Sequence, residues 1–424
     1  MSKPKAKVLI IGAGLAGLSA AKHLSEHGIS HIILEARNRV GGRIEIDNSL
    51  GMRLSKGAAW LHGTDGNPLV DFYLNLNEVS FPYNPHLLLS YNREGKIISK
   101  TSVENFTKKI ESHLTKAKKY AFHSSSDISL ARALLNEPLS LTFEEQDLFL
   151  KKIKLLENYL GDSIEHLSAR HWDEEKSIPG EHVFLSDSYA NVIQTLAQKS
   201  QIHFNTIAKK VITHTEGIEV VTPQGSYFAN AVLVTVPLGV LKQHKITFTP
   251  DLPLNKKKSI AQLGMGLFNI IALRFPRVFW DQASHAFFLP EKNSCSIFYN
   301  IHHFHNHPIL FGYVGGDTAR LLEQKTDSAI IKDVMKNFRR YFGKSVVPPE
   351  SFFITRWLND PWSLGSYSYN AIGSSSKDRE ILAEPVTNKI YFAGEASHPD
   401  YPATTHGAYL SGIREAQKII SLLR

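Results

Sequence analysis

Apolar positions along this chain fall into two rhythms. Val8-Leu9-Ile10-Ile11 is an unbroken apolar run of the kind that fills a parallel strand covered on both faces. From Leu15 to His27 the rhythm changes: Leu15, Leu18, Ala21 and Leu24 recur at helical spacing, and Gly28 can end the helix. Ile32-Ile33-Leu34 then predicts a second buried strand, closed by the acidic Glu35. The same reading predicts helices over about 144–160 and 406–423 and a helical segment carrying Lys108, Lys109, Lys116, Lys118 and Lys119. Short strands are predicted over 269–275, 296–301 and 309–314. Strand, turn, helix and strand in that order make a βαβ opening, so the predicted class is α/β.

The first chemistry lies in the turn between strand and helix, Gly12-Ala13-Gly14-Leu15-Ala16-Gly17. Gly12 permits the tight turn, Gly14 lets backbone N–H groups approach a pyrophosphate, and Gly17 lets the helix pack closely on the strand. The helix N-terminus then faces the phosphate charge. Glu35, about 20 residues beyond the last glycine, can accept hydrogen bonds from ribose hydroxyls and would repel a 2′-phosphate, which argues against NADP. NAD and FAD both use this turn, and the turn alone leaves that choice open.

The continuation Glu35-Ala36-Arg37-Asn38-Arg39-Val40-Gly41-Gly42-Arg43 resembles a stretch of the flavin-containing amine oxidase superfamily, which includes monoamine and polyamine oxidases and the lysine-specific histone demethylases. Lys56-Gly57-Ala58-Ala59-Trp60-Leu61-His62-Gly63, followed by Gly66-Asn67-Pro68-Leu69, is similar to the family segment under the flavin ring. Residues 231–241 are similar to the strand that returns to the cofactor domain. Arg356-Trp357, Asp360-Pro361-Trp362, Gly365-Ser366-Tyr367-Ser368-Tyr369, Tyr391-Phe392-Ala393-Gly394-Glu395 and the stretch from Tyr401 to Ala408 resemble consecutive family blocks, closest to the polyamine oxidase and demethylase branch.

The resemblance implies bound FAD. It implies non-covalent attachment too, because the single cysteine, Cys295, lies outside the block where monoamine oxidases tether flavin. The implied cofactor contacts begin with Gly12, Gly14, Ala16 and Gly17, then Glu35, Ala36, Arg37, Gly41, Gly42 and Arg43. They continue through Gly57, Ala58, Ala59 and Trp60, with Val211 in the middle of the chain and Trp357, Gly394, Glu395, Ala403, Thr404, Thr405 and Ala408 near its end. Arg43 suits a place near the phosphates and ribityl chain because guanidinium stays charged and can fork onto oxygens. Glu395 matches the family position that holds the ribityl hydroxyls.

For the substrate, the resemblance makes Tyr367 a cavity wall beside the flavin, with Trp362 and Trp60 near it; aromatic faces suit an amine or its developing cation. Packing of the domain junction is the competing role for these rings, and for Trp357 it is the preferred one. His62 matches a cavity histidine of polyamine oxidases, with substrate hydrogen bonding and plain burial both open. Thr404 stands where several relatives carry a second cage aromatic. Ile270 replaces the family lysine that holds a water against the flavin and assists reoxidation by oxygen, so turnover with O2 should be slow or use another acceptor. A second departure is Ser186-Asp187-Ser188-Tyr189, where relatives usually have a glycine pair.

A chain of 424 residues, 42% hydrophobic and 21% charged, fits a soluble globular protein of about two domains. The expected division is an interleaved one. A Rossmann-type FAD-binding domain takes 1–80, 181–250 and 382–424, and an α+β substrate domain, a mixed sheet plus helices, takes 81–180 and 251–381. The formal charge of +8 invites a nucleic-acid reading, but the lysine cluster reads better as a solvated helix face and no nucleic-acid motif accompanies it. Asp65, Glu181 and Asp187 are candidates to line the entrance for a cationic substrate.

His302, His303, His305 and His307 raise a metal site, since alternation on a strand would bring His303, His305 and His307 to one face. With no cysteine or acid close by, no metal is expected. The first strand is too short for a signal segment, and the C-terminus lacks the apolar run of an anchor; a cytoplasmic protein without membrane attachment is expected. The expected function is oxidation of a primary or secondary amine to an imine by FAD, with O2 or another electron acceptor. A dehydrogenase or desaturase of the same fold and a non-catalytic flavin-binding protein are the alternatives.

Overall fold

In the computed structural model, which describes residues 6–73, 80–82, 84, 87–136, 138–185 and 189–423, a five-stranded parallel sheet gathers three distant stretches of the chain. Its order is Ile390–Phe392, Ala231–Val234, Val8–Ile11, His31–Leu34, Ile202–His203. Val8 pairs with Ala231 on one side and His31 on the other. Alternation explains why the opening run is apolar throughout. Val8 and Ile10 enter one core with Ile33 and Leu233, whereas Leu9 and Ile11 enter a second with Leu34 and Val234. Both faces of the sheet are buried, so no position in the strand faces water.

The helix after the glycine turn spans Leu15–Glu26 and packs against the last helix, Thr405–Leu423. A separate six-stranded mixed sheet has the order Ser351–Ile354, Phe268–Arg274, Ile309–Gly315, Ile297–Asn300, Ala286–Phe288, Leu88–Ser90. Over it lies the helix Phe143–Leu160. Thr142 and Glu145 form a capping box at its start, and Gly161, at φ 77°, ends it in the left-handed conformation. A Cβ on Gly161 would come within 2.5 Å of the Tyr367 ring, so this helix end also makes room for that aromatic. The chain is α/β, with a doubly covered parallel sheet and a second, mixed sheet.

The lysine cluster falls on the helix Lys100–His123. Lys109 donates to the Ser140 carbonyl and pairs with Glu145, Lys118 pairs with Asp173, and Lys108, Lys116 and Lys119 are exposed. The histidine run differs from the strand expectation. Residues Ile301–His305 form a short helix, with Asn306 in the left-handed region after it, so the alternation that would align His303, His305 and His307 does not exist. Buried Ile301 anchors the turn, and His303 instead stacks on His285 at 4.4 Å and bonds the Gln282 carbonyl. Among the described residues, no helix is long and apolar enough to cross a membrane.

Candidate active site

One cavity of about 600 Å³ runs from the glycine turn to the six-stranded sheet. Its first end is made of backbone. Gly12, Gly14 and Ala16 line it with Glu35, Ala36 and Arg37, and Gly41, Gly42 and Arg43 continue the wall. A Cβ added to Gly14 meets nothing within 4 Å and would stand in open cavity, whereas one on Gly17 would lie 2.1 Å from the Gly12 carbonyl. Gly17 therefore sits beneath the turn and does not line the cavity. Gly14 is also the N-cap of the helix and supplies no side-chain cap, which leaves amide donors and the positive helix end facing the space.

Glu35, 5% exposed, accepts from Ala13 N at 2.7 Å and from Arg37 N at 2.8 Å, which fixes its carboxylate at the strand end. The Arg37 guanidinium forks onto Asp360 at 2.9 and 2.7 Å, so what Arg37 offers the cavity is its backbone and stem. Arg43 donates through Nη1 to Glu395 Oε1 and to the Ser366 carbonyl, each at 2.8 Å. Burial pushes the Glu395 carboxyl up, but Arg43, Ser368 and Arg379 outweigh it and hold the group below the usual carboxylate range. These features, an open glycine N-cap, an acid fixed at the second strand's end and a buried Arg–Glu pair, fit a dinucleotide with a polar middle.

Midway along the cavity lie Gly57, Ala58, Ala59, Trp357 and Gly394, and Ala403, Thr404, Thr405 and Ala408 stand at the start of the last helix. Thr404 Oγ1 donates to the Tyr401 carbonyl and accepts from Gly407 N, so its hydroxyl shapes the helix start. Val211 is the exception. It is fully buried in the strand Lys210–His214 and packs into a core beneath the parallel sheet; residues 206–209, just before it, reach the cavity instead. The chain touches the cavity before it enters the strand, and apolar pattern alone could not show that offset.

The second end is aromatic. Trp60 and Tyr367 line it together with His62 and Ile270, while Trp362 lines the cavity on the turn whose Asp360 holds Arg37. Tyr367 donates its hydroxyl to the Asn158 carbonyl at 2.5 Å, and Trp60 Nε1 donates to the Tyr313 hydroxyl at 2.9 Å. Burial raises the Tyr367 phenol well above its ordinary range, so it stays protonated. His62 pairs across the sheet with His182, their Nδ1 atoms 3.2 Å apart. Burial first, then His182 and His406, lower its pKa to about 3, which keeps the ring neutral near pH 7.

Several lining residues were not legible beforehand. Phe268, Ile297, Tyr299 and Tyr313 come from the sheet, Leu155, Asn158 and Tyr159 from the helix above it, and Glu175 and His182 from the chain between. Period-two spacing was the available signal for the sheet residues, since 268 with 270 and 297 with 299 fall on one face of their strands. Glu175 had no such signal. Burial raises its carboxyl, while a hydrogen bond from Tyr159 works against the shift. Asp65 and Glu181 are exposed outside the cavity, and Asp187, with Ser186 and Ser188, lies outside the described residues. Tyr189, wholly buried at φ 60°, donates to the Trp60 carbonyl at 2.6 Å and accepts from Thr405.

A dinucleotide turn feeding an aromatic chamber defines a dinucleotide-dependent oxidoreductase class, and sequence comparison identifies the dinucleotide as a flavin. The family model described as flavin containing amine oxidoreductase matches residues 15–420, and the chain belongs to that family. It is 35% identical over 436 residues to Lysine-specific histone demethylase 1 homolog 2 of Arabidopsis thaliana, covering 97% of this chain and 58% of that protein. It is 33% identical over 430 residues to Polyamine oxidase 4 of Oryza sativa subsp. japonica, covering 97% and 88%. The chain thus spans little more than half of the first relative and most of the second. In three dimensions it matches putrescine oxidase bound to putrescine with a TM-score of 0.80 at 19% identity, over 99% of this chain and 100% of the other. The amine oxidase fold and a flavin cofactor, FAD, follow.

Proposed function

We propose that this protein is an FAD-dependent amine oxidase that converts the C–N bond of a primary or secondary amine to an imine. The observation that carries the reading is the continuity of one cavity, from the glycine N-cap and Glu35 to the ring-lined chamber around Tyr367. Gly14, Glu35, Arg43 and Glu395 would hold FAD non-covalently; no cysteine lines the cavity among the described residues. FAD bound there supplies the acceptor for the hydride equivalent from the carbon beside nitrogen, with electrons passing on to O2 as H2O2 or to another acceptor.

The chain's own part is to select and orient the amine. Tyr367, fixed by its bond to Asn158, and Trp60, fixed by its bond to Tyr313, form rigid walls that hold the reacting carbon in one pose. Desolvation among these rings disfavours an ammonium ion, so the amine sheds its proton on entry without a dedicated base. Neutral His62 can accept a hydrogen bond from the amine N–H. Glu175 is the cavity carboxylate that faces the aromatic end, with Tyr159 bonded to it and Arg379 acting on it from a distance, whereas Glu35 is tied to backbone amides and Glu395 to Arg43. It attracts the cation before deprotonation. We further propose the discontinuous division into 1–80, 181–250 and 382–424 for the cofactor and the remainder for the substrate.

A second reading, a dehydrogenase of the same fold with a non-oxygen acceptor, is favoured by Ile270. Its side chain is 1% exposed among Tyr313, Phe311 and Phe353 and brings no positive charge to the chamber. The test is an anaerobic panel of amines added to the FAD-loaded protein while flavin absorbance is followed, and then reoxidation by air or by a quinone. Bleaching by some amines with rapid air reoxidation supports the oxidase. Reoxidation by quinone alone moves the protein to the second reading, and bleaching by no amine leaves a flavin-binding protein.

A further inference from the structure

The chamber is divided chemically along one helix. Tyr159 stands at one end with Glu175, and its ring meets His62 edge-on at 6.2 Å. One turn back on the same face, Leu155 packs, as Tyr299 does, against the cluster that holds Ile297. A spacing of four residues puts these two environments about 6 Å apart along the helix axis. Beneath Leu155 the sheet presents an apolar stripe in register, because Tyr313 pairs with Ile270 on one neighbouring strand and with Ile297 on the other. Two of the polar groups that reach this side are engaged by Tyr313. Trp60 Nε1 donates to the Tyr313 hydroxyl, and Asn158 Nδ2 to the Tyr313 carbonyl at 3.3 Å.

We propose that the substrate is an amine with one uncharged apolar arm, seated on Leu155, Ile297 and Ile270, and that any additional cation lies only on the Glu175 side. The proposal rests on the reading of the site as amine-oxidising and adds the substrate class. An ammonium group on the Leu155 side would lose its hydration and gain no carboxylate, since Glu35 and Glu395 line the cofactor half of the cavity and are already bonded there. An alkyl or aryl arm loses nothing there. Each methylene it buries is worth about fourfold in affinity.

The experiment uses the FAD-loaded protein and N-alkyl-1,3-diaminopropanes with methyl, butyl and hexyl arms, the butyl and hexyl compounds each compared with the triamine whose arm of the same length ends in an amino group. Spermine is included. The concentration that half-bleaches the flavin without oxygen should fall at least tenfold from methyl to butyl. It should rise at least tenfold when the arm gains a terminal amine. A Leu155→Asp variant, altered at a cavity surface, should reverse the second preference. The proposal is overturned if spermine or the amino-ended arms bleach at lower concentration than their alkyl counterparts, or if Leu155→Asp leaves the order unchanged. Bleaching by polyamines alone would overturn this substrate class and leave the amine oxidase reading standing; bleaching by no amine would remove both.

Discussion

Arg43 and Glu395 meet at 2.8 Å across 352 positions of chain, with Glu395 only 4% exposed. Arg379, buried completely, approaches the same carboxylate from behind through Ser368, donating to its hydroxyl at 2.6 Å while that hydroxyl donates to Glu395 at 2.6 Å. Burial pulls the Arg379 guanidinium down to about 10, and Glu395 opposes the shift. Glu395 is therefore shared by two cations in the wall of the cavity, with Glu175, Glu174 and Asp378 adding to the field at Arg379.

Replacing Glu395 by Gln should leave Arg43 without its carboxylate and weaken the compensation of Arg379, which keeps Glu175, Glu174 and Asp378 nearby. Removing one partner of a buried pair costs about 3–5 kcal/mol, which in a chain of this size lowers the melting temperature by roughly 3–6 °C. The purified variant should also carry less FAD. Differential scanning calorimetry and flavin content check this, and wild-type values for both would show that the pair is not a cofactor clamp.

The two inner glycines of the turn should fail differently. Gly14→Ala places a methyl in open cavity, so the apoprotein should unfold within about 0.5 kcal/mol of wild type while FAD affinity drops at least tenfold. Gly17→Ala places one 2.1 Å from the Gly12 carbonyl and should lower the stability of the apoprotein itself. Titrating both apoproteins with FAD and melting them separates the roles; equal loss of FAD affinity with equal stability would contradict them.

Ile270→Lys restores a cation beside the chamber at the cost of burying it among Tyr313, Phe311 and Phe353. Air reoxidation of the amine-reduced protein should accelerate at least tenfold, with some loss of stability. An unchanged rate in stopped-flow measurements would mean that position 270 does not govern the reaction with oxygen.

Stability should fall in mild acid. His406, 2% exposed with neither ring nitrogen bonded, and His285 both have pKa values lowered to about 4, chiefly by burial, and His62 to about 3. The unfolded chain takes up these protons near pH 6.5 and the folded chain does not, so stability is complete above about pH 7 and is lost progressively toward pH 4. His406 alone accounts for on the order of 2 kcal/mol between pH 8 and pH 5. Melting curves of wild type and His406→Gln across that range check the sign: the variant should show the shallower fall, and parallel curves would remove His406 from the account.

Near neighbours in sequence determined the dinucleotide end. The strand, glycine turn and helix at 8–26 follow from apolar spacing and from where a Cβ is allowed, and the turn's donors are its own backbone, so the chemistry was legible before any fold was known. Tertiary structure decided the aromatic end. The stripe of Ile270, Tyr313 and Ile297 exists only through cross-strand register, and Glu175, not Asp65 or Glu181, faces the cavity because an irregular segment happens to turn that side chain inward. Periodicity describes regular elements, and neither loop direction nor pairing between distant strands leaves a local trace; the misplacement of Val211 and the helical turn at 301–305 have the same origin.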